Sequence, residues 1–378
     1  MTAIRVLWLI KGLGPGGAEQ LLVNHAAVRD REEFAYEAAY LVSEKSHHAS
    51  TLEALGVPVT MLDAGREADV RWARRLRELV VDHEIDVVHI HSPYVAAVAR
   101  VALQSLPSTT RPAIVSTEHN RWPRHSRATR WANLLTFPLD DAHVAVSEDV
   151  RRTITPGLRW PVQVITHGVD VPRVHALTAQ RSAVRAELAI DDDEIVVGTV
   201  ANFRAEKAYE VWIDAAAAAL RGRDEHTPRL RFVSIGQGPL EPVMRAHVAA
   251  LDAGDRIQLL GYQQDATRLM TSFDIFTLAS RHEGLPVSLM DAMALGLPVV
   301  ATRVGGIPEA VTSGQEGTLV PSGDAYALAR ACLDLANDPE RLRRMGAASL
   351  ARGADFDIRL AVDRLERLYR ASARTRQA

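Results

Sequence analysis

The sequence predicts an α/β protein with two parallel sheets, each carrying helices on both faces. Short apolar runs alternate with amphipathic segments along most of the chain, as expected for strand–helix–strand units. The first run leads into a glycine-rich turn and a helix, which is the usual opening of a Rossmann-like unit. The 378 residues are enough for two domains, each able to bury its own core.

The composition is that of an ordinary globular protein and excludes several function classes. Apolar residues make up 47% of the chain and the formal net charge is −3, which gives no electrostatic case for nucleic-acid binding. The single cysteine, Cys332, excludes an internal disulfide framework and a thiolate zinc cluster. No apolar run approaches the roughly 20 residues needed to span a bilayer. We therefore expect a cytoplasmic protein without a nucleic-acid partner.

The first half begins with a strand at Ile4–Ile10, followed by a turn over residues 11–19 and a helix from Leu21 to Val28. Further strands are expected at Tyr36–Val42, Val57–Leu62, Asp86–His91, Ala113–Thr117, Ala142–Val146 and Pro161–Ile165, and helices at Val70–Val81 and Tyr94–Leu103. In parallel sheets of this kind, ligands bind beyond the carboxyl ends of the strands.

The turn after the first strand also permits a dinucleotide-binding interpretation. Gly12, Gly14 and Gly17 have the spacing G-x-G-x-x-G. Pro15 disturbs this turn, however, and the second strand does not end on the acidic residue that would hold a ribose; Glu44 is the nearest candidate. An NAD(P)-dependent oxidoreductase is therefore one alternative.

Three histidines lie at or near the ends of first-half strands. His89, His91 and His119 might suggest zinc, but no helix or loop spacing supports a preformed site, so we expect no metal. His91 and His119 both occupy carboxyl ends, where a ligand would bind. For His119, a histidine that only bonds a backbone carbonyl is the alternative.

In the second half, the strand Glu194–Val200 leads to Arg204 and Lys207 and then to a helix over Tyr209–Leu220. Two cations at the carboxyl end of a strand can neutralise a diphosphate leaving group, Arg as a planar fork and Lys as a point charge. Further strands are expected at Arg231–Ile235, Ile257–Leu260, Ile275–Leu278 and Pro298–Ala301, and the chain ends in a helix from Phe356.

The stretch 280–309 contains a helix between two apolar runs, with Pro286 in its first turn and Gly296 at its end. A helix start favours a phosphate because its first backbone N–H groups are unpaired. Glu283 precedes this start and Asp291 lies inside the helix, so the two carboxylates could accept hydrogen bonds from both ends of a nucleotide-sugar. Alternatively, Glu283 caps the helix and Asp291 is a solvated helix residue.

The segments 283–286, 291–294 and 296–300 together resemble the donor-site signature of retaining GT-B glycosyltransferases of family 4 (glycosyl transferases group 1). The resemblance implies a GT-B fold, in which two Rossmann-like domains turn their parallel sheets toward an interdomain cleft. Residues 1–170 would bind the acceptor and residues 171–355 the nucleotide-sugar donor. The last helix, 356–378, would cross back onto the first domain.

The resemblance also implies roles for individual residues. Glu283 would hold the transferred sugar, which His119 would also reach, and Asp291 would hold the ribose. Arg204 and Lys207 would stabilise the leaving diphosphate. The remaining donor-binding residues that it implies are Gly16, Gly17, Gly236, Gly238, Gly261, Tyr262, Gly284 and Leu285.

Three positions depart from the family's pattern. Asp291 stands where Glu is usual, His167 where Asn is common, and Ala208 where Gly usually follows the lysine. With the shorter carboxylate, contact with the ribose could be direct, water-mediated or lost. A sugar-nucleotide-binding subunit that has lost activity is therefore a further alternative.

A basic segment over residues 121–131 stands apart from these motifs. Arg124, Arg127 and Arg130 recur every third residue, so a helix would hold them near one face, and Trp122 and Trp131 flank them. Basic residues with tryptophan suit a membrane interface or an acceptor that carries phosphate, whereas a plain solvated face is the alternative. Membrane contact would make the protein peripheral at the inner membrane face.

These motifs and the resemblance predict a glycosyltransferase that moves a hexosyl group from a UDP- or GDP-linked sugar to a glycan, lipid-linked or small-molecule acceptor. The configuration of the sugar would be retained, as in polysaccharide or glycoconjugate biosynthesis. No metal or other cofactor is expected, because protein cations take the metal's role. A sugar-nucleotide epimerase or a phosphorylase on the same two-domain plan is a further alternative.

Overall fold

Strands and helices alternate along the chain and form two separate units. The structure, a computed structural model, describes residues 3–14, 16–63, 69–154, 160–223, 225–251 and 253–377. Unit 1 comprises Met1–Gly168 together with Ile358–Ala378, and unit 2 comprises Val169–Asp357. Pro15, which the sequence analysis places in the first turn, lies outside the described residues.

Unit 1 is built on one parallel sheet. Its strands are β1 Ile4–Ile10, β2 Phe34–Tyr40, β3 Val59–Met61, β4 Val87–Ile90, β5 Ala113–Glu118, β6 Ala142–Ala145 and β7 Val162–Val164. The helices between them are α1 Gly17–Val28, α2 Ala49–Ala54, α3 Trp72–Asp82, α4 Pro93–Gln104, α5 Arg127–Thr136 and α6 Glu148–Thr153. Within the described ranges the strand order is β3-β2-β1-β4-β5-β6-β7, and neighbours run parallel.

Unit 2 repeats this plan with a second parallel sheet. Its strands are β8 Glu194–Val200, β9 Arg229–Ile235, β10 Ile257–Leu259, β11 Ile275–Leu278, β12 Val299–Thr302 and β13 Gly317–Val320. Its helices are α7 Val171–Ala176, α8 Arg181–Glu187, α9 Tyr209–Arg221, α10 Glu241–Ala250, α11 Ala266–Leu269, α12 Val287–Ala294, α13 Ile307–Ala310, α14 Ala325–Ala336 and α15 Pro339–Gly353. Among the described residues the order is β10-β9-β8-β11-β12-β13, again parallel.

The last helix, α16 Ile358–Gln377, packs in unit 1 against α1, β1, β4 and β5. Its Tyr369 is fully buried in the apolar core of that unit. Its Glu366 accepts hydrogen bonds from the Tyr36 hydroxyl at 2.9 Å and from the backbone N–H of Asp30 at 3.1 Å. The helix is therefore part of the core of unit 1.

The strands are apolar on both faces because helices cover both faces of each sheet. In β1, Val6, Trp8 and Ile10 belong to one core cluster. The residues between them, Leu7 and Leu9, belong to another. Successive side chains of a strand point to opposite faces, so a doubly covered strand appears in the sequence as a continuous apolar run.

Several element boundaries differ from the sequence prediction, including the end of the second strand and the start of the helix after Pro286. The second strand is predicted at Tyr36–Val42 but ends at Tyr40, because the next two backbone N–H groups, of Leu41 and Val42, both donate to the carbonyl of Lys11. Pro286 is predicted in the first turn of a helix, whereas it is the residue just before α12, with an extended ψ of 132°.

Candidate active site

The predicted charged residues of unit 2 lie where its strand order reverses. The strand β8 leads into the turn that carries Arg204 and Lys207, and the neighbouring strand β11 leads into Ser280–Glu283. A crevice beyond the carboxyl ends of two such strands is the usual ligand site of an open parallel sheet. The topology therefore brings these residues to one edge.

Lys207 and Glu283 are in direct contact at this edge although they are 76 positions apart. The Lys207 Nζ lies 2.6 Å and 2.7 Å from the two carboxylate oxygens of Glu283. The Ser280 hydroxyl donates to one of these oxygens at 2.6 Å. An ammonium group has three donors, so Lys207 keeps one for a further acceptor.

The turn around Lys207 leaves Arg204 accessible. Arg204 is exposed, and the described residues include no ion-pair partner for its guanidinium. After Lys207 the chain enters α9 through Ala208, whose φ of 49° lies in the left-handed region that favours glycine. This conformation explains why glycine is usual at that position and shows that alanine is tolerated there with some strain.

The start of α12 is open, and Glu283 does not cap it. No side chain of the described residues accepts a capping hydrogen bond at this end, so the capping alternative for Glu283 is wrong. The backbone of Gly284 accepts a hydrogen bond from the N–H of Gly306 at 2.7 Å, and the Leu285 side chain is buried in the core. The helix start consequently offers backbone N–H groups beside the Lys207–Glu283 pair.

Gly305 permits the loop after β12 to lie directly on the backbone of Glu283. Its φ is 56°, and a Cβ at this position would be 2.0 Å from the carbonyl oxygen of Glu283. The loop therefore fixes the backbone that carries the carboxylate. The signal for this contact in the sequence is the glycine pair Gly305-Gly306, but nothing local indicates which segment it approaches.

Asp291 lies on the partly buried side of α12, against α11. The Thr267 hydroxyl donates to its Oδ2 at 3.2 Å. Burial raises the pKa of Asp291 to about 7, while the Thr267 hydrogen bond and the charge of Arg173 act in the opposite direction. The alternative of a solvated helix residue is therefore wrong, and near neutral pH this carboxyl can donate a hydrogen bond as well as accept one.

The predicted glycines after β9 pack against the turn after β8. A Cβ on Gly236 would lie 1.9 Å from the carbonyl oxygen of Ala201, and one on Gly238 would lie 2.5 Å from that of Phe203. Gly236 also donates its N–H to the carbonyl of Gly261 at 2.8 Å. Next to Gly261, the Tyr262 side chain is exposed. These residues bring three strand-end turns together.

In unit 1 the strand order reverses between β1 and β4, and the predicted glycines lie at the same end of the sheet. Gly16 precedes α1 and Gly17 begins it. A Cβ on Gly16 would meet the Glu19 carboxylate at 2.3 Å. The turn after β1 is joined to the end of β4, because the backbone N–H of Lys11 donates to the Ser92 hydroxyl at 3.0 Å.

His119 follows β5 and contacts His91, which follows β4. The Nε2 of His119 lies 3.2 Å from the Nδ1 of His91. Burial, and then the neighbouring histidines, hold the pKa values of both rings well below the usual range. The described residues contain no group of three or more His, Cys, Asp or Glu side chains placed to hold a metal ion.

The structure corrects the prediction for the basic segment. Trp122 is buried and meets Phe137 edge-on, at 5.7 Å between ring centroids, so it does not flank an exposed face. Periodicity could not show this. In α5, Arg127, Trp131 and Leu135 follow one another at helical spacing, and the last two are 64% and 75% exposed.

None of the helices within the described ranges has both the length and the apolar character needed to cross a bilayer.

Two family models match the chain over most of its length. The model described as Glycosyltransferase Family 4 matches residues 15–173, and the one described as Glycosyl transferases group 1 matches residues 194–338. The chain belongs to the family 4 glycosyltransferases and is a glycosyltransferase of the GT-B fold.

Known relatives agree with this assignment. The chain is 27% identical over 286 residues to N-acetyl-α-D-glucosaminyl L-malate synthase of Bacillus anthracis, covering 74% of this chain and 72% of the relative. It is 31% identical over 233 residues to the lipopolysaccharide core biosynthesis mannosyltransferase LpsB of Rhizobium meliloti, covering 60% and 64%. These matches do not favour the oxidoreductase, epimerase and phosphorylase alternatives.

The fold is also that of solved structures. The crystal structure of Anabaena HepE in complex with UDP and glucose aligns with a TM-score of 0.84 and 20% identity, covering 97% of this chain and 100% of that one. At this identity the similarity shows the fold alone.

Proposed function

We propose that this enzyme transfers a hexosyl group from a UDP- or GDP-linked sugar to a glycan, lipid-linked or small-molecule acceptor, with retention of configuration. The observation that carries the proposal is the contact of Lys207 with Glu283 beside an uncapped helix start. Positive charge and open N–H groups suit a diphosphate, and a carboxylate suits sugar hydroxyls. The three features adjoin one another at the carboxyl edge of unit 2.

In the proposed donor complex, the guanidinium of Arg204 and the remaining donor of Lys207 bind the diphosphate. Backbone groups of Gly284 and Leu285, in the segment just before α12, lie against the same group. When the glycosidic bond breaks, the leaving diphosphate gains negative charge, which these fixed donors stabilise. On this proposal no metal is required.

Glu283 accepts hydrogen bonds from the transferred sugar. Its orientation is already set by the Lys207 ammonium and the Ser280 hydroxyl, so little rotamer freedom is lost when the sugar binds. Because Glu283 remains paired with a cation, we assign it to sugar binding rather than to attack on the anomeric carbon.

Asp291 binds the ribose, and backbone groups of Gly236, Gly238, Gly261 and Tyr262 bind the rest of the nucleoside. Crystal structures of HepE in complex with UDP and with UDP-glucose support a uridine nucleotide as the first donor to test. Unit 1 binds the acceptor, and at its carboxyl edge Gly16 and Gly17 contribute to donor binding while His119 reaches the transferred sugar.

We also propose that the exposed face of α5 rests on an anionic membrane surface. Trp131 and Leu135 are exposed apolar side chains of α5, which also carries Arg127 and Arg130, and Arg124 lies in the segment just before this helix. The His125 ring lies 3.3 Å from the Glu118 carboxylate, which joins the start of this segment to the end of β5. A lipid-linked acceptor would then lie close to the proposed acceptor site.

Vesicle flotation tests this contact. The wild type should bind vesicles containing anionic lipid at low salt, and a Trp131→Ser, Leu135→Ser double variant should not. Equal binding by the two proteins, or no binding by the wild type, would refute the membrane proposal and leave the transferase proposal intact.

A thermal-shift panel of UDP, GDP, ADP, their sugar conjugates and NAD(P)⁺ tests the function. A UDP or GDP conjugate should raise the melting temperature, and NAD(P)⁺ should not. Product analysis by NMR should then show a glycoside with the anomeric configuration of the donor. Nucleotide binding without hydrolysis or transfer would instead identify an inactive binding subunit.

A further inference from the structure

His91, for which the sequence predicts a place at a strand end but no role, has an unusual environment at the carboxyl edge of unit 1. Its Nδ1 lies 3.2 Å from the Nε2 of His119. Its own Nε2 is buried and has no hydrogen-bond partner among the described residues. Buried polar atoms nearly always have a partner, so an orphaned nitrogen at a ligand-binding edge indicates that a ligand group supplies the missing bond.

The core of unit 1 holds His91 in this position. Its backbone N–H donates to the carbonyl of Leu9 at 2.9 Å, and its ring lies 4.1 Å from the ring of His89. His89 in turn uses both ring nitrogens, one on the Tyr369 hydroxyl at 2.5 Å and the other on the Thr117 hydroxyl at 2.7 Å. The orphaned nitrogen is therefore preorganised by packing.

A hydrogen bond between two neutral imidazoles couples their tautomers. If His91 donates from Nδ1, its Nε2 is an acceptor and the Nδ1 of His119 carries a proton. If His119 donates from Nε2, the Nε2 of His91 carries a proton and the Nδ1 of His119 is an acceptor. In both states, of the two nitrogens outside this contact, His91 Nε2 and His119 Nδ1, one is a donor and the other an acceptor. A hydroxyl group, which both donates and accepts, matches this pair.

We propose that His91 is a positioning residue whose tautomer is coupled to that of His119 and that binds a sugar hydroxyl through its own Nε2. The neutral pair thereby recognises an uncharged hydroxyl rather than a phosphate. Burial favours the neutral form of both rings, which supports this choice of ligand. The inference rests on the proposed function only for the identity of the hydroxyl as part of a sugar.

Three substitutions separate the two contacts of His91. In His91→Asn the side-chain amide can replace Nδ1, in His91→Gln it can replace Nε2, and in His91→Phe both polar atoms are lost. Long-range ¹H–¹⁵N spectra of the histidine rings report the tautomer of His119 directly. We expect one tautomer in the wild type and in His91→Asn, and a different or mixed population in His91→Gln and His91→Phe. An unchanged His119 spectrum in all three variants would overturn the coupling.

Steady-state kinetics test the hydroxyl contact. His91→Phe should lower kcat about tenfold, the size of one lost hydrogen bond, with little change in KM for the nucleotide-sugar. The matched control is His83→Phe, which removes a partly exposed histidine paired with Glu37 in the same unit. A kcat within twofold of wild type, or an equal loss in the control, would overturn the role in binding.

The two readouts also separate this inference from the proposed function. The tautomer of His119 is observable without any substrate. Coupled tautomers in a protein that transfers no sugar would support the histidine pair and refute the transferase proposal.

Discussion

The carboxyl edges of the two sheets have the same topology, but one carries charged side chains and the other neutral ones. In unit 2 the edge carries an ammonium, a carboxylate and an exposed guanidinium, from Lys207, Glu283 and Arg204. In unit 1 the corresponding edge carries His91 and His119, whose rings burial keeps neutral. Both sites lie where the strand order reverses, beside β1 and β8.

The difference arises from the backbone segment to which each side chain is attached. The charged groups of unit 2 lie on turns beyond the strand ends, and the Lys207 side chain keeps 21% of its surface exposed. In unit 1, His91 and His119 are the first residues after their strands, and the neighbouring His89 is bonded to Tyr369 of α16. Equivalent positions of one fold therefore differ in charge, and we propose that the charged edge binds a diphosphate and the neutral edge a hydroxyl.

Acid should destabilise unit 1 before unit 2. Burial lowers the pKa of His25 to about 3 and holds those of His89, His91 and His119 well below 6.5. Below pH 6.5 the unfolded chain binds protons that the folded unit cannot, so this stability is present above pH 6.5 and is lost as the pH falls. For His25 this cost is about 2 kcal/mol at pH 5, and the other three histidines act in the same direction.

Hydrogen exchange at pH 7 and pH 5, corrected for intrinsic rates, measures this loss. Peptides of unit 1 should lose protection first, and His25→Gln should make the dependence on pH shallower. If peptides of unit 2 lost protection at a higher pH than those of unit 1, the buried histidines of unit 1 would not be the cause of acid sensitivity.

Lys207→Ala should lower kcat by about 10²–10³, because it removes one preorganised donor from the developing charge. Arg330→Ala, an exposed cation on α14, is the matched control and should leave kcat unchanged. A loss of less than about threefold in Lys207→Ala would remove Lys207 from the mechanism and weaken the contrast between the two edges.

Gly305→Ala should reduce both stability and activity, whereas Gly314→Ala should reduce only stability. Both glycines have positive φ, 56° and 95°, so alanine costs about 1–2 kcal/mol at either site. Only at Gly305 does the added methyl meet a backbone, that of Glu283; at Gly314 no atom lies within 4 Å. Urea denaturation and kcat measured on both variants distinguish strain from loss of the Glu283 position. Equal losses of stability and of kcat in the two variants would show that the contact of Gly305 with the Glu283 backbone does not affect activity.

Asp291→Asn should stabilise the protein slightly at pH 8 and not at pH 4. Burial raises the pKa of this carboxyl from 3.8 to about 7, so the folded state holds a proton across that range and loses stability as the pH rises through it. Removing the charge should recover about 1–2 kcal/mol at pH 8, after allowance for partial exposure. Thermal melts of both proteins across this range measure it. A variant that is less stable than wild type at pH 8 would contradict the burial cost.

Strands covered on both faces were the most predictable elements. Glu194–Val200 and Ile275–Leu278 have the predicted bounds, because every residue of these strands after Glu194 is apolar or small. The second strand was shifted because two apolar residues beyond it use their N–H groups on the β1 turn. Trp122 was placed on the surface although it is buried, since spacing along a helix does not reveal which neighbour covers a side chain.

Local patterns in the chain were sufficient to predict the parallel α/β class, the approximate positions of most strands, and the glycines and charges of the proposed nucleotide-sugar site. Folding in three dimensions decided which of them meet: Lys207 with Glu283, 76 positions away, and His91 with His119, 28 positions away. The periodicity of apolar residues indicates only the secondary structure of the element in which a residue lies. Contacts between strand ends depend on strand order and register, which arise from packing of the whole sheet.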